Sequence, residues 1–217
     1  MGILLSVPGT DNVFESPLIV IEHLESKPTR WLVTEYIESY EVARENGLDL
    51  VISRVHDPIL ASQLGKNNIP YTHVSAREFG CSSPSIVMDL RGLRPLEPWE
   101  ARVATCIVIG GIMGDYPPRA RGLLLVHDLP GFSVRNLGPG QMSIHTATWA
   151  VAEVYGGKRV RDLEVGGPAV LWLESPFGQY SVELPFVYPL GRDGSPIVPK
   201  RIRDLLESGI MWDEEYL

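Results

Sequence analysis

The sequence predicts an α/β fold around a mostly parallel sheet. Three observations carry that prediction. Short apolar runs recur along the chain, most of them are separated by segments with helical spacing, and the later runs lead straight into glycine-bearing turns. The run Leu18-Ile19-Val20-Ile21 reads as the first buried strand, and residues 1–17 read as a loose extension before it. Trp31, Leu32, Glu35, Tyr36, Tyr40, Val42 and Ala43 then lie on a helical segment that stops at Asn46-Gly47, a usual C-terminal signal. Leu50-Val51-Ile52 gives a second strand, and residues 57–66 give a short helix ended by Gly65.

A third strand is expected at 85–89, a short helix at 96–103, and a fourth strand at 105–109 that runs into Gly110-Gly111. Pro117-Pro118 suits the start of a following helix, because proline fits a first helical turn. Residues 132–135 make a fifth strand and 143–155 a helix, with Ser143 as a plausible cap. The end of the chain differs in pattern. Residues 169–173 and 180–184 read as a strand pair with no helix between them, and 201–208 as a short helix before an acidic tail. These readings divide the chain into an extension (1–17), a main α/β domain (18–160) and a small C-terminal β/α appendage (161–217).

With 44% hydrophobic and 21% charged residues, the composition is that of an ordinary globular chain able to bury a core without disulfide staples. Cys81 and Cys106 are therefore read as two lone thiols, Cys106 buried in a strand, which suits a reducing compartment. No targeting segment and no run of about 20 apolar residues is visible, so the expectation is a cytoplasmic protein with no membrane association. The net charge of −8 is unevenly spread, with three basic and nine acidic residues in 1–50 but four basic and two acidic in 101–150. Such a field fits a cationic partner better than a nucleic acid, although a local basic patch can serve the latter and the charge by itself is equally accounted for by solubility. The five histidines show no metal-ligand spacing, and no metal is expected.

Two turns carry the chemistry. Gly110-Gly111-Ile112-Met113-Gly114-Asp115 follows the fourth strand, and Arg135-Asn136-Leu137-Gly138-Pro139-Gly140-Gln141-Met142 opens the helix at 143. Ligands of parallel sheets bind beyond the carboxyl ends of the strands, which is where both turns lie. The glycine spacing is neither a dinucleotide fingerprint nor a P-loop. Each turn alone is also compatible with an ordinary tight connection.

Together, and in this order, the two turns resemble those of the SPOUT methyltransferases. The resemblance is strongest to the branch containing the eukaryotic enzyme that methylates an arginine of a small-subunit ribosomal protein. It extends to Ile21-Glu22-His23-Leu24-Glu25, Trp31, Glu35-Tyr36, Asp89 and Arg91, and Pro117-Pro118-Arg119. Late in the chain it includes Glu183-Leu184-Pro185-Phe186 and Gly194-Ser195-Pro196-Ile197-Val198-Pro199, and overall it covers about residues 18–207. Leu90 stands where the branch has proline, and Gly92 where it has alanine.

The resemblance implies a deep trefoil knot and S-adenosyl-L-methionine as cofactor. It places Gly110, Gly111, Ile112, Gly114, Leu137, Gly138, Gln141 and Met142 around that cofactor. The implied partner is a basic ribosomal protein, with RNA as the alternative acceptor and a non-catalytic ribosome-binding module as a third possibility. A monomer is favoured over a homodimer. A guanidinium acceptor needs a carboxylate to orient it and take its proton. Asp115 is the first candidate for that work and could equally cap a helix. Asp89 and Glu22 come second, and Asp89 could equally pair with Arg91. Arg119 and Arg135 are candidates for gripping the substrate through phosphate or carboxylate.

Overall fold

The computed structural model describes residues 4–8, 13–15, 17–114, 121–175 and 178–209. The chain opens with a hairpin, β1 (Leu4–Ser6) and β2 (Val13–Glu15), paired antiparallel. Then come β3 (Leu18–His23), α1 (Arg30–Glu45), β4 (Leu50–Ser53), α2 (Pro58–Lys66) and β5 (Ile86–Met88). They are followed by α3 (Pro98–Val103), β6 (Cys106–Gly111), α4 (Gly122–Asp128), β7 (Ser133–Arg135) and α5 (Ile144–Tyr155). The last part holds β8 (Val165–Gly166), β9 (Ala169–Ser175), β10 (Gly178–Leu184), β11 (Tyr188–Pro189) and α6 (Lys200–Glu207).

The central sheet has the order β4-β3-β6-β5-β7, and every neighbouring pair is parallel. Helices or the hairpin cover both faces, so its strands are apolar on both sides rather than alternating. Ile19, Ile21, Leu50, Ile52, Ile86, Ile107 and Ile109 point to one face. There they meet Leu32 and Tyr36 of α1, Leu60 and Leu64 of α2, and Val151 and Val154 of α5. Leu18, Val20, Val51, Val87, Cys106 and Val108 point to the other, against Leu125 of α4 and Val7 and Phe14 of the N-terminal hairpin. The extension expected to be loose thus contributes a hairpin and two core side chains.

The cysteines correct the sequence reading. Cys81, in the loop before β5, and Cys106, at the start of β6, form a disulfide with their Cα atoms 5.5 Å apart. Pairing was not legible from spacing because 25 residues separate them and only the sheet brings them together.

Local signals set most boundaries. Thr29 caps α1 by accepting the Leu32 amide, and Asp57 caps α2 by accepting those of Ile59 and Leu60. The helix α2 continues one residue past Gly65, to Lys66. Gly110 and Gly111 belong to β6 rather than to a loop after it. The helix start expected at Pro117-Pro118 lies outside the described residues; α4 spans Gly122–Asp128.

The strands after residue 160 form two small antiparallel pairs, β9 with β10 and β8 with β11. The pair β8–β11 has only two residues in each strand and no run long enough to mark it in the sequence. Leu171, Leu173, Leu184, Phe186 and Tyr188 bury against Ile202 and Leu206 of α6 and against Trp31 of α1. Arg201 of α6 adds ion pairs to Glu38 and Glu41 on α1.

One buried hydrogen-bonded pair ties α1 to α5. Glu35 accepts the His145 side chain at 2.8 Å, the His145 amide at 3.0 Å and the Trp31 indole at 3.3 Å. Burial opposes ionisation of Glu35, but the charge and hydrogen bonds of His145, with the Trp31 indole, hold its carboxyl below the ordinary value. Removing one member of such a pair strands the other. Glu35→Ala is expected to lower the unfolding free energy by about 3–5 kcal/mol in urea titrations. A loss under about 1 kcal/mol would show that the pair carries little.

His23 gives a second test. Burial lowers its pKa from 6.5 to about 4, with Asp57 opposing that shift and His56 adding to it. Above pH 6.5 the ring is neutral in both folded and unfolded chain. As pH falls from 6.5 towards 4 the unfolded chain takes up the proton and the folded chain does not, so stability is lost across that window. The loss approaches about 3 kcal/mol, and it should shrink in His23→Gln when denaturation midpoints are compared between pH 7 and pH 4.5.

Candidate active site

The carboxyl ends of β5 and β6 and the turn after β7 surround a cavity of about 430 Å³. Ile109 and Gly110 come from β6, and Ile112, Met113 and Gly114 from the segment after it. Met88, Asp89 and Arg91 come from the end of β5. Leu137, Gly138, Gly140, Gln141 and Met142 close the opposite side, backed by Ile144 and Ala147 of α5. Two turns separated by more than twenty residues of sequence therefore face each other across one space. Their contact is direct: a Cβ on Gly114 would overlap the Gln141 amide and the Phe186 ring. Only glycine fits there.

Each side of the cavity is anchored by polar groups. Asn136 organises the far side. Its backbone bonds to Arg94 and Leu96, while its side chain donates to the Gly92 carbonyl at 2.6 Å and accepts the Gly138 amide at 3.0 Å. Gly138 has φ +110, a conformation side chains disfavour, so glycine is required at this bend. A β-bridge from Met142 to Val187, and the Val187 amide bonded to the Gln141 carbonyl at 2.9 Å, brace the same turn from behind. A Cβ on Gly140 would strike Val187.

The start of α5 is internally satisfied. Ser143 caps it by accepting the Thr146 amide, and Glu35 takes the His145 amide. These two amides of the helix start are thus already used by the cap and the buried carboxylate.

On the near side, Glu25 accepts the Met113 amide at 2.7 Å and pairs with Arg121 at 2.9 Å. Arg121 also donates to the Met113 carbonyl. Glu25 belongs to the motif Ile21-Glu22-His23-Leu24-Glu25, but no sequence spacing points from it to Met113, 88 residues away. Asn136 was likewise visible only as part of a turn.

Of the residues singled out from sequence, Gly110, Ile112, Gly114, Leu137, Gly138, Gln141, Met142 and Asp89 line the cavity. Asp89 is 7% exposed and holds Arg91 at 3.0 Å through two side-chain bonds, the ion pair that was one of its two readings. Gly111 does not line the cavity. A Cβ at this position would press on the Tyr36 hydroxyl and the Glu22 carbonyl. Glu22 is fully buried beneath the sheet's end, bonded to Ser53, the Ala76 amide and Arg54, so it has no route to a substrate.

Arg135 is turned inward as well. It grips Glu100 of α3 through Nε and Nη2, which lowers the Glu100 carboxyl and raises the guanidinium through the same hydrogen bonds. The guanidinium expected to hold substrate instead fastens β7 to α3. Asp115 and Arg119 lie outside the described residues. Among the described residues no group of His, Cys, Asp or Glu has metal-binding geometry, and no helix is long and apolar enough to cross a membrane.

Comparison with known proteins agrees with this geometry. A family model described as "Protein arginine N-methyltransferase SFM1-like" matches residues 18–212. The protein arginine N-methyltransferase SFM1 of Saccharomyces cerevisiae is 26% identical over 207 residues, which cover 87% of this chain and 93% of that protein. The crystal structure of the yeast arginine methyltransferase SFM1 complexed with SAH superimposes with a TM-score of 0.75 at 25% identity, covering 88% of this chain and 94% of that one. The SAM complex of the same enzyme gives the same score and identity, covering 88% and 90%. A Trm10 structure, spTrm10 with SAH, shares the fold at a TM-score of 0.51 and 12% identity, over 64% of this chain and 87% of that one. The arginine-methyltransferase branch read from the motifs is thus borne out. The chain belongs to the SFM1-like family of protein arginine N-methyltransferases.

Proposed function

We propose that this chain is an S-adenosyl-L-methionine-dependent protein arginine N-methyltransferase acting on a basic ribosomal protein. The observation that carries the reading is the meeting of the two turns around one cavity at the carboxyl ends of parallel strands, in a chain of this family. The cavity suits the cofactor. Its volume lies within the usual range for small-molecule sites, roughly 300–1,000 Å³. Its walls at Ile112, Leu137, Met142 and Ile144 are apolar, with Gln141 and Asp89 as polar groups.

When bound, S-adenosyl-L-methionine supplies a methyl group on a positively charged sulfur. The chain's own work is to hold and align. Gly110, Ile112 and Gly114 take one side of the adenosyl group, and Leu137, Gly138, Gln141 and Met142 the other. A guanidinium is a poor nucleophile, so correct placement and removal of its proton matter most. Asp89 stands on the cavity wall as a carboxylate for that purpose. Asp115, next in sequence to the cavity residue Gly114, is the other proposed base, and Arg119 a proposed substrate contact.

The acidic balance of the chain complements a basic ribosomal protein. A monomeric state accompanies this proposal, as does a trefoil knot formed by the segments after β6.

Methyl-tritiated cofactor incubated with ribosomal fractions should leave label in protein that survives nuclease treatment. Label removed by nuclease would assign the chain to RNA instead. Calorimetry with S-adenosylhomocysteine should show binding, and Gly114→Val, which places a side chain into Gln141 and Phe186, should weaken it by at least about tenfold. Asp89→Asn is expected to slow methyl transfer by about 10²–10⁴-fold with little change in cofactor affinity. Unchanged turnover would move the proton transfer to another group.

A further inference from the structure

The near wall of the cavity already holds a guanidinium, that of Arg121. One terminal nitrogen, Nη1, donates to Glu25 at 2.9 Å, and the other, Nη2, donates to the Met113 carbonyl. Arg121 and Met113 both line the cavity. A carboxylate beside a carbonyl, set to receive the two ends of a planar fork, is the receptor an arginine side chain calls for. We infer that Glu25 and the Met113 carbonyl form the seat for the acceptor guanidinium, and that Arg121 fills this seat while no acceptor is bound. The inference rests on the methyltransferase reading of the cavity and names the substrate site within it.

Three features distinguish this seat from a plain structural clasp. Glu25 is anchored independently of Arg121, because the Met113 amide donates to the same carboxylate oxygen at 2.7 Å. The seat therefore keeps its shape when one guanidinium is exchanged for another. Arg121 is one-third exposed and Glu25 less so, at 17%, so the occupant is the half of the pair that solvent reaches. An incoming arginine restores the bonds to Glu25 and to the Met113 carbonyl, and ion pairs at such partly exposed positions resist exchange only weakly.

A tethered occupant competes at an effective concentration in the millimolar range, so it should reduce the apparent affinity for an acceptor without altering the seat. Arg121 thereby selects against weakly held arginines, since only an acceptor with additional contacts to the protein displaces it.

The test is calorimetric titration of the full chain with N-acetyl-arginine amide, using N-acetyl-lysine amide as the control. Arg121→Ala should bind the arginine probe at least about tenfold more tightly than the unchanged chain, with no such gain for the lysine probe. Adding Glu25→Gln should abolish the gain. Arg121→Gln, which keeps a donor for the Met113 carbonyl but not the charge, should also gain affinity and serves if the alanine variant folds poorly. A folded Arg121 variant that binds the arginine probe no better than the unchanged chain overturns the inference. Titration with S-adenosylhomocysteine separates the two levels. Cofactor binding without the guanidinium gain removes this inference alone, whereas absence of cofactor binding removes the reading of the cavity and the acceptor role with it.

Discussion

The site depends on a charge placed where water cannot reach it. Glu35 lies on α1, yet its carboxylate sits at the start of α5 and accepts both the backbone amide and the ring of His145. A helix start favours a negative charge, and a buried carboxylate needs donors on every side. Each requirement answers the other. The consequence reaches the cavity because α5 begins immediately after Gln141, Met142 and Ser143. Fixing the first turn of α5 fixes the direction from which that loop enters the site.

The same logic repeats on the opposite wall, with a difference in strength. Glu25 orders Met113 through one amide and one guanidinium, at the protein surface rather than in its interior. The cavity thus has one wall set by a deeply buried, hydrogen-bonded carboxylate and another set by a pair that solvent can reach. The first suits the tight enclosure of an adenosyl group, and the second suits a wall at which a substrate is exchanged.

Much of this architecture was legible in the residues. Strands apolar on both faces announced a covered parallel sheet, and paired glycine turns after late strands located the ligand end of it. What stayed hidden depended on long-range contact. Gly111 looks like Gly110 in a sequence, but Gly110 lines the cavity while the space at Gly111 is taken by the Tyr36 hydroxyl and the Glu22 carbonyl, neighbours that only the fold supplies. Arg135 and Glu22 were site candidates from their charged side chains, but each had an internal partner that the fold alone supplies, Glu100 in one case and Arg54 with Ser53 in the other. The Cys81–Cys106 bond and the Glu25–Met113 contact escaped for the same reason.

The strands after residue 160 looked like an appendage, since their pattern breaks from the α/β alternation before them. Packing gives them a larger part. Phe186 presses on Gly114 and Val187 on Gly140, one from each of the two facing turns. Val187 also extends the backbone pairing of the second turn through the Gln141 carbonyl. Among the described residues neither turn has a regular strand partner at these points, and two glycines leave room for the contact. The segment Leu184-Pro185-Phe186-Val187 therefore acts as a common support behind both turns, anchored by Leu184 and Phe186 in the cluster that includes Trp31 of α1. A chain cut at residue 160 would keep every residue assigned to the cofactor and lose the surface that holds the two turns at their separation.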